Sequence, residues 1–380
     1  MSTPPSLRLG IEEEYQIVDP ETRTLRYIIT RTPRDERPVL RGTEGDTPLE
    51  PPLAKLMADL AKPVFNSAAE LGEALIEQRR AVCQMASDRG LWVAAAGTHP
   101  FAAWSQTSTP LHGRYEGLTE EMRAVAKRLL IFGAHIHVAI EDPGMAIDCM
   151  NTVRYMLPHL LCLSTSSPFF AGHDTGLKSY RAILHENLPR SGVPHEFASP
   201  DEYKHYVELL IKTHCIRGEN DIWWDVRPHR QPSSLEFRLF DMMPAVEDTI
   251  GLVAAVQAVV AWLTDLRGHN ISFRLYPRSL IEENKWRAER YGLDGKLIDF
   301  GKEQQLPART LVRELLRLAD PYVERLGSRR QIDHLYQVIE RGTSADRQRR
   351  VYQQNGGKKN HNAALIAVVD ALVAETMICR

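Results

Sequence analysis

Residues 7–18 read Leu-Arg-Leu-Gly-Ile-Glu-Glu-Glu-Tyr-Gln-Ile-Val, a strand pattern apolar at Leu7, Leu9 and Ile11 that ends in a crowd of carboxylates. In a strand, residues two apart share a face. Glu12 and Glu14 therefore stand together, with Glu13 on the other side beside Ile11 and Tyr15. Two carboxylates on one face repel and raise each other's pKa unless a cation lies between them. A run of three glutamates is equally what a solvated strand face looks like, so this stretch alone does not choose.

The same device recurs downstream. Gly133–Ile140 (GAHIHVAI) puts His135 and His137 on one face and Ala134, Ile136 and Val138 on the other. Two histidines could simply be packed and neutral, since a metal site needs more than two ligands. Ser234–Asp241 (SLEFRLFD) sets Glu236 and Arg238 opposite Leu235, Phe237 and Leu239, a pattern that a same-face ion pair also explains. Before it, Ile222–Val226 reads as a strand, with Trp223, Asp225 and Arg227 facing one way and Ile222, Trp224 and Val226 the other. Placed in one sheet, these strands give one apolar face and one face bearing Glu12, Glu14, His135, Glu236, Arg238 and Arg227. Carboxylates with an imidazole suit a hard divalent cation such as Mg2+ or Mn2+ better than structural zinc. Arginines beside it suit phosphate oxygens, which a guanidinium grips as a fork. Metal, arginine and carboxylate together are the apparatus of nucleotide-driven phosphoryl transfer. Neither GxxxxGK[ST] nor GxSxG occurs, which excludes a P-loop and a nucleophile elbow.

The rest of the chain frames that sheet. Residues 30–52, rich in Pro, Gly and charge, predict a long irregular connection. Ser67 is a plausible N-cap for a helix running to Asp88, with Gly90 beyond it as terminator. Leu91–Ala96 reads as a buried strand ending at Thr98-His99-Pro100, and 120–130 as a helix. Ala146–Ser164 predicts an apolar helix bent near Pro158. Residues 168–200 carry Pro, Gly and His without period, as expected of a loop that covers a site. Pro228–Pro232 reads as a turn, and after Ala245 helices are expected at 246–266, 279–291, 308–326, 329–341 and 361–376. Strands first and helices later predict an α+β fold, helices stacked on a mostly antiparallel sheet. No composition break divides it, so 1–380 reads as one domain with a helical part from about 245 to 380.

Composition excludes several functions. Lys plus Arg total 47 against 49 Asp plus Glu, so the basic excess of a nucleic-acid binder is missing. The longest apolar runs read as too short to cross a bilayer, and residues 1–10 lack the apolar stretch of a signal peptide. Five widely spaced cysteines suit reduced thiols, and the expected location is cytoplasmic. Val246–Trp262 could pack internally or against a second subunit, which leaves a homo-oligomer open.

These segments, in this order, resemble the glutamate–cysteine ligase 2 family, in particular its YbdK-like carboxylate–amine ligases. The resemblance rests on LGIEEEYQIVDPETRTL, AAAGTHPFAAW, FGAHIHVAI, STSSPFFAGHDTGLKSYRA, DIWWDVRPHRQPSSLEFRLFDMMP and VAAVQAVVAWL, and extends over most of residues 7–265. It implies a glutamine-synthetase-like catalytic fold, in which a curved antiparallel sheet carries helices on one face and cups ATP and metal ions on the other. It also implies that an amino-acid carboxylate is joined to a small amine through an acyl-phosphate. Position by position, Glu12, Glu14, His135 and Glu236 match metal-binding residues of the family. Arg238 matches the arginine that meets the transferred phosphate, and Arg227 a second nucleotide contact. Thr98 and His99 fall beside the acceptor pocket, and Tyr180 and Arg181 match substrate contacts on the cover loop.

The sequence departs from the family between residues 52 and 64. Pro52 stands where an acid belongs, Asp59 replaces a glutamate as metal ligand, and Lys62 replaces a threonine. Glu50 lies two residues upstream as a substitute acid. The departures leave two alternatives beside the ligase: an ATP-independent, metal-dependent amidohydrolase on a small amino-acid amide, and a catalytically inactive homologue.

Overall fold

The computed structural model describes residues 4–31, 38–42, 62, 64–102, 130–230 and 233–377. Its central sheet is built from β1 (Leu9–Glu13), β6 (Gly133–Ala139), β11 (Val226–Arg230) and β12 (Ser233–Asp241), in the order β1-β6-β12-β11 with every neighbour antiparallel. Leu9, Ile11, Ile136, Val138, Leu235 and Phe237 are buried in one cluster with the helices, so the apolar face expected from alternation is the core face. Antiparallel pairing lets one face pack while the other stays available for chemistry.

The strand expected over residues 7–18 is two strands in two sheets. The chain leaves the central sheet after Glu13, and β2 (Tyr15–Val18) joins β3 (Leu25–Arg31), β4 (Pro38–Gly42) and β5 (Trp92–Ala94) in the order β4-β3-β2-β5. Period two runs unbroken through Glu14, so alternation cannot reveal the change of sheet. β4 also corrects the irregular reading of 30–52, because its backbone pairs with β3.

Helix α1 (Ala68–Ser87) begins where the sequence placed it: the Ser67 hydroxyl accepts from Glu70 N at 3.2 Å. The apolar stretch after β6 forms α2 (Pro143–Val153) and α3 (Leu157–Ser164), separated by a 3-10 turn at Arg154–Met156. Pro158 sits in the first turn of α3, where its missing N–H does no harm.

The cover segment is more ordered than expected. It holds a small hairpin, β7 (Phe169–Phe170) with β8 (His173–Asp174), then α4 (Tyr180–Glu186) and β9 (Ser191–Gly192). Helix α5 (Pro200–Lys212) follows, which the sequence reading lacked. The strand expected at 222–226 also divides. β10 (Trp223–Trp224) pairs in parallel with β9, while β11 begins at Val226 and continues through Pro228 to Arg230, so the first part of the expected turn is strand; residues 231 and 232 lie outside the described residues.

The later helices are α6 (Val246–Gly268), α7 (Arg278–Tyr291), α8 (Ala308–Leu318), α9 (Asp320–Arg325), α10 (Arg329–Arg341), α11 (Ser344–Gln354) and α12 (His361–Met377). The hairpin β13 (Lys296–Asp299) with β14 (Gln304–Pro307) and helix α11 were not anticipated. The helix expected over 308–326 is two, broken at Ala319. α6 corrects the membrane reading, since it is long and apolar enough to span a bilayer. It is instead buried on all sides, from Asp248 to Thr264, which makes it the axis of the helical layer. The helix expected at 120–130 lies outside the described residues, apart from its last position.

Candidate active site

Strand register assembles the site. Glu12 pairs with His135 across β1 and β6, and the neighbouring row runs Gly10, His137, Glu236, Arg227 across all four strands. The Glu12 carboxylate lies between two imidazoles, with Oε2 3.4 Å from His135 Nδ1 and Oε1 3.6 Å from His137 Nε2. Both separations exceed a good hydrogen bond, and both ring nitrogens are buried without a hydrogen-bond partner. His137 is oriented from its other side by Ser234 Oγ at 3.1 Å. Burial, reinforced by the Arg238 guanidinium, brings His135 down to about 4 against the opposing pull of Glu12 and Glu236. Its imidazole is therefore neutral near pH 7.

Glu236 is held between two guanidinium groups. Arg227 Nε donates to Oε2 at 2.7 Å, and Arg238 Nη1 donates to Oε1. Burial alone would raise this carboxyl, but the two arginines outweigh it and hold it well below the usual carboxylate range. Arg227 is itself buried and also donates to the Glu219 and Ile222 carbonyls, so it braces Glu236 from inside the protein. Arg238 is the more accessible of the two, and its Nε is a buried donor without a partner. Such a donor is what an anionic oxygen would satisfy.

Glu14 follows the end of β1, and its Oε2 accepts from Gly133 N at 2.7 Å. Burial raises its pKa, opposed by Arg181, the Gly133 N–H and Arg238, and reinforced by Glu12. Glu13 points the other way, as alternation requires, and pairs with Arg79 among the helices.

The four residues expected to meet substrate each have neighbours within the protein. Thr98 is buried and donates to Phe169 O at 2.7 Å. His99 Nδ1 accepts from the backbone N–H groups of Phe101 and Ala102, so Nε2 carries the proton and donates to Arg23 O at 3.0 Å. Both side chains brace the loop after β5. Tyr180 opens α4 with its ring 5.2 Å from Phe170. Arg181 is only 2% exposed and donates to the carbonyls of Arg238 and Leu239. At the end of β12, Asp241 accepts from Ser166 N and from the Ser167 and Ser179 hydroxyls at 2.7–2.8 Å, tying the cover segment to the sheet. Pro52, Asp59 and Glu50 lie outside the described residues, and Lys62 is exposed.

Among the described residues no group of three His, Cys, Asp or Glu already surrounds one metal position. The donor chemistry nevertheless fits a divalent cation at Glu12 and His135, where a carboxylate faces a neutral ring nitrogen that lacks any other partner. Glu236 has both oxygens engaged by arginine. The sequence reading carried forward His135 but not His137; the spacing of two on a strand was the available signal. It also missed His185 on α4, a buried imidazole held well below its usual pKa by burial and by Arg181, Arg238 and Lys285.

Comparison with known proteins addresses the family and the fold. The family model "Glutamate-cysteine ligase family 2" matches residues 8–366. A protein of Herpetosiphon aurantiacus, provisionally named glutamate–cysteine ligase 2, is 44% identical over 369 residues, which is 97% of this chain and 93% of the relative. One of Roseiflexus castenholzii, named in the same way, is 45% identical over 370 residues, 97% of this chain and 94% of its own length. Among solved structures, the bifunctional glutathione synthetase of Pasteurella multocida superposes with TM-score 0.64 at 14% identity, over 97% of this chain and 52% of that one. The glutamate–cysteine ligase of Francisella tularensis in complex with AMP gives 0.57 at 12% identity, over 100% and 92%. The fold is that of the glutamate–cysteine ligases, and the chemistry is that of a carboxylate–amine ligase. The chain belongs to glutamate–cysteine ligase family 2.

Proposed function

We propose that this ligase couples ATP cleavage to amide formation on the face of the central sheet that carries Glu12, His135, Glu236 and Arg238, with 1–380 acting as one catalytic unit. A carboxylate is a poor electrophile because it is negative and resonance-stabilised; phosphoryl transfer from ATP turns it into an acyl-phosphate with a good leaving group. The amine then attacks the acyl carbon and phosphate departs. By analogy with the names of its relatives, the carboxylate is that of glutamate or a similar amino acid, and the amine is cysteine or another small amino acid.

The observation that carries this reading is Arg238. It combines a carboxylate partner, partial access and an unpaired Nε donor on the same strand face as Glu236. Its guanidinium would bind γ-phosphate oxygens and offset charge as the group moves, an effect worth several kcal/mol in such sites. Glu236 and Arg227 hold it in orientation. Glu12, His135 and, by its position, Glu14 would hold the Mg2+ or Mn2+ that neutralises phosphate charge when bound. Asp241 would keep the cover segment closed, which excludes water from a hydrolysis-prone intermediate.

The test is turnover. Purified protein with Mg2+ or Mn2+, ATP and glutamate should release ADP and phosphate only when a suitable amine is added. No amine-dependent ADP across a broad panel of amino acids and small amines would overturn the reading.

A further inference from the structure

The pairing of β12 with β6 is interrupted at the site. The register runs from Phe237 opposite Ile136 to Phe240 opposite Ala134, three steps on one strand against two on the other. The extra residue is a β-bulge at Arg238–Leu239. A bulge takes backbone groups out of the ladder and re-aims the side chain it carries. Here three of the groups at the bulge are taken up. Arg238 N donates to Asp225 O at 2.7 Å, and Asp225 is itself anchored by Lys285 Nζ at 2.6 Å. On the other side, Arg181 donates to Arg238 O at 3.1 Å and to Leu239 O at 3.2 Å.

Arg181 reaches these carbonyls through space that a side chain at residue 133 would fill. A Cβ on Gly133 would stand 2.3 Å from Arg181 Nη2 and 2.8 Å from Cζ. The helix carrying Arg181 is also fixed in place: Ser179 donates to Asp241 at 2.8 Å, and Arg181 N donates to Ser167 Oγ at 3.0 Å.

We infer that Arg181 and Gly133 together form a lock on the β12 bulge that sets where the Arg238 guanidinium stands. The inference rests on the ligase reading and makes Arg181 a positioning residue that acts through Arg238, without contact to substrate. Gly133 lies in β6 and takes part by leaving room for the guanidinium.

Two variants test it, Gly133→Ala and Arg181→Lys. The first keeps every charged group and displaces only the far end of a flexible side chain; the second keeps the charge but loses the two-pronged grip. Each should lower kcat roughly 10- to 100-fold, since small misplacements of a charge-stabilising group are costly. The KM for the amino-acid carboxylate should stay within about twofold, because substrate binding is not what the lock supplies. Hydrogen exchange in the 234–241 segment should accelerate in both variants. A raised carboxylate KM with kcat retained would show Arg181 to be a substrate contact and overturn the lock. Failure of the ligase reading is seen separately, as absence of amine-dependent turnover in the unaltered protein. The exchange comparison then still decides: unchanged exchange in folded Gly133→Ala protein overturns the lock. Should Arg181→Lys not fold, Gly133→Ala decides alone.

Discussion

Glu13 and Arg79 are joined by a two-pronged ion pair in which both side chains are 0% exposed, with Arg79 Nε 3.0 Å from Glu13 Oε2. This pair fastens the first strand to α1, and the same guanidinium donates to the Pro244 and Met243 carbonyls and to Thr249 Oγ at 2.7–3.2 Å. Glu13 is thus the structural member of the glutamate run, and Glu12 beside it faces the site.

The first prediction follows from that asymmetry. Arg79→Met leaves the Glu13 carboxylate buried with Tyr15 as its remaining hydrogen-bond partner. Breaking a buried pair in this way costs about 3–5 kcal/mol. Glu13→Gln leaves Arg79 with its other acceptors and should cost clearly less. Urea unfolding midpoints compare the two; equal losses would show that the pair is not the anchor.

A second prediction concerns acid. Burial lowers His99, His135 and His159 to about 4, against an ordinary value of 6.5. Between those two values the unfolded chain binds protons that the folded chain refuses, so stability is unaffected above about 6.5 and falls as pH drops. Each histidine contributes up to about 1.4 kcal/mol per pH unit across that window. Urea midpoints should fall steeply from neutrality to about two units lower, and His99→Gln should flatten the slope by one histidine's share. A pH-independent midpoint contradicts the buried, neutral placement.

Alternation alone puts the candidate site residues on one face of the sheet. β1, β6 and β12 each bury one face, and a period of two forces Glu12, His135, Glu236 and Arg238 onto the other. What stayed hidden is non-local. Thr98 and His99 fall beside the acceptor pocket by resemblance alone, and their hydrogen-bond partners, Phe169 O and Arg23 O, lie too far off in sequence for any spacing to announce. The bulge that re-aims Arg238 depends on Asp225 and Arg181, which no spacing in β12 announces. Helix α5 is legible in the sequence: Ser199 accepts from Glu202 N while Glu202 accepts from Ala198 N, a cap signal masked by the Pro-rich loop beside it. Helix α11 was obscured by its polar sequence, in which only Ser344, Ala345, Gln348 and Tyr352 are buried.

The third prediction addresses the cation. Glu12→Gln and His135→Ala should each weaken Mn2+ binding by at least roughly tenfold, read by electron paramagnetic resonance without any turnover. His137→Ala serves as comparison, because its Nε2 faces the same carboxylate 3.6 Å away. A smaller loss there would place the ion on the His135 side. Unaltered Mn2+ binding in all three variants would remove the cation from this face.

The fourth prediction separates charge from geometry at Arg238. Arg238→Lys keeps one positive charge, but an ammonium cannot pair with Glu236 and grip a phosphate oxygen as a planar fork does. The loss should fall on kcat, roughly 100- to 1,000-fold, as for removal of other preorganised charge-stabilising donors. Stability should change little, because Arg238 is partly exposed and Glu236 retains Arg227 at 2.7 Å. Arg227→Lys should behave the other way round. That arginine is buried and braced by two backbone carbonyls, so its loss should lower the unfolding midpoint as well as activity. Single-turnover measurement of ADP formation, paired with urea unfolding on the same samples, distinguishes the two patterns. If Arg238→Lys retained full phosphoryl-transfer rate, the transferred phosphate would have to be met by another residue.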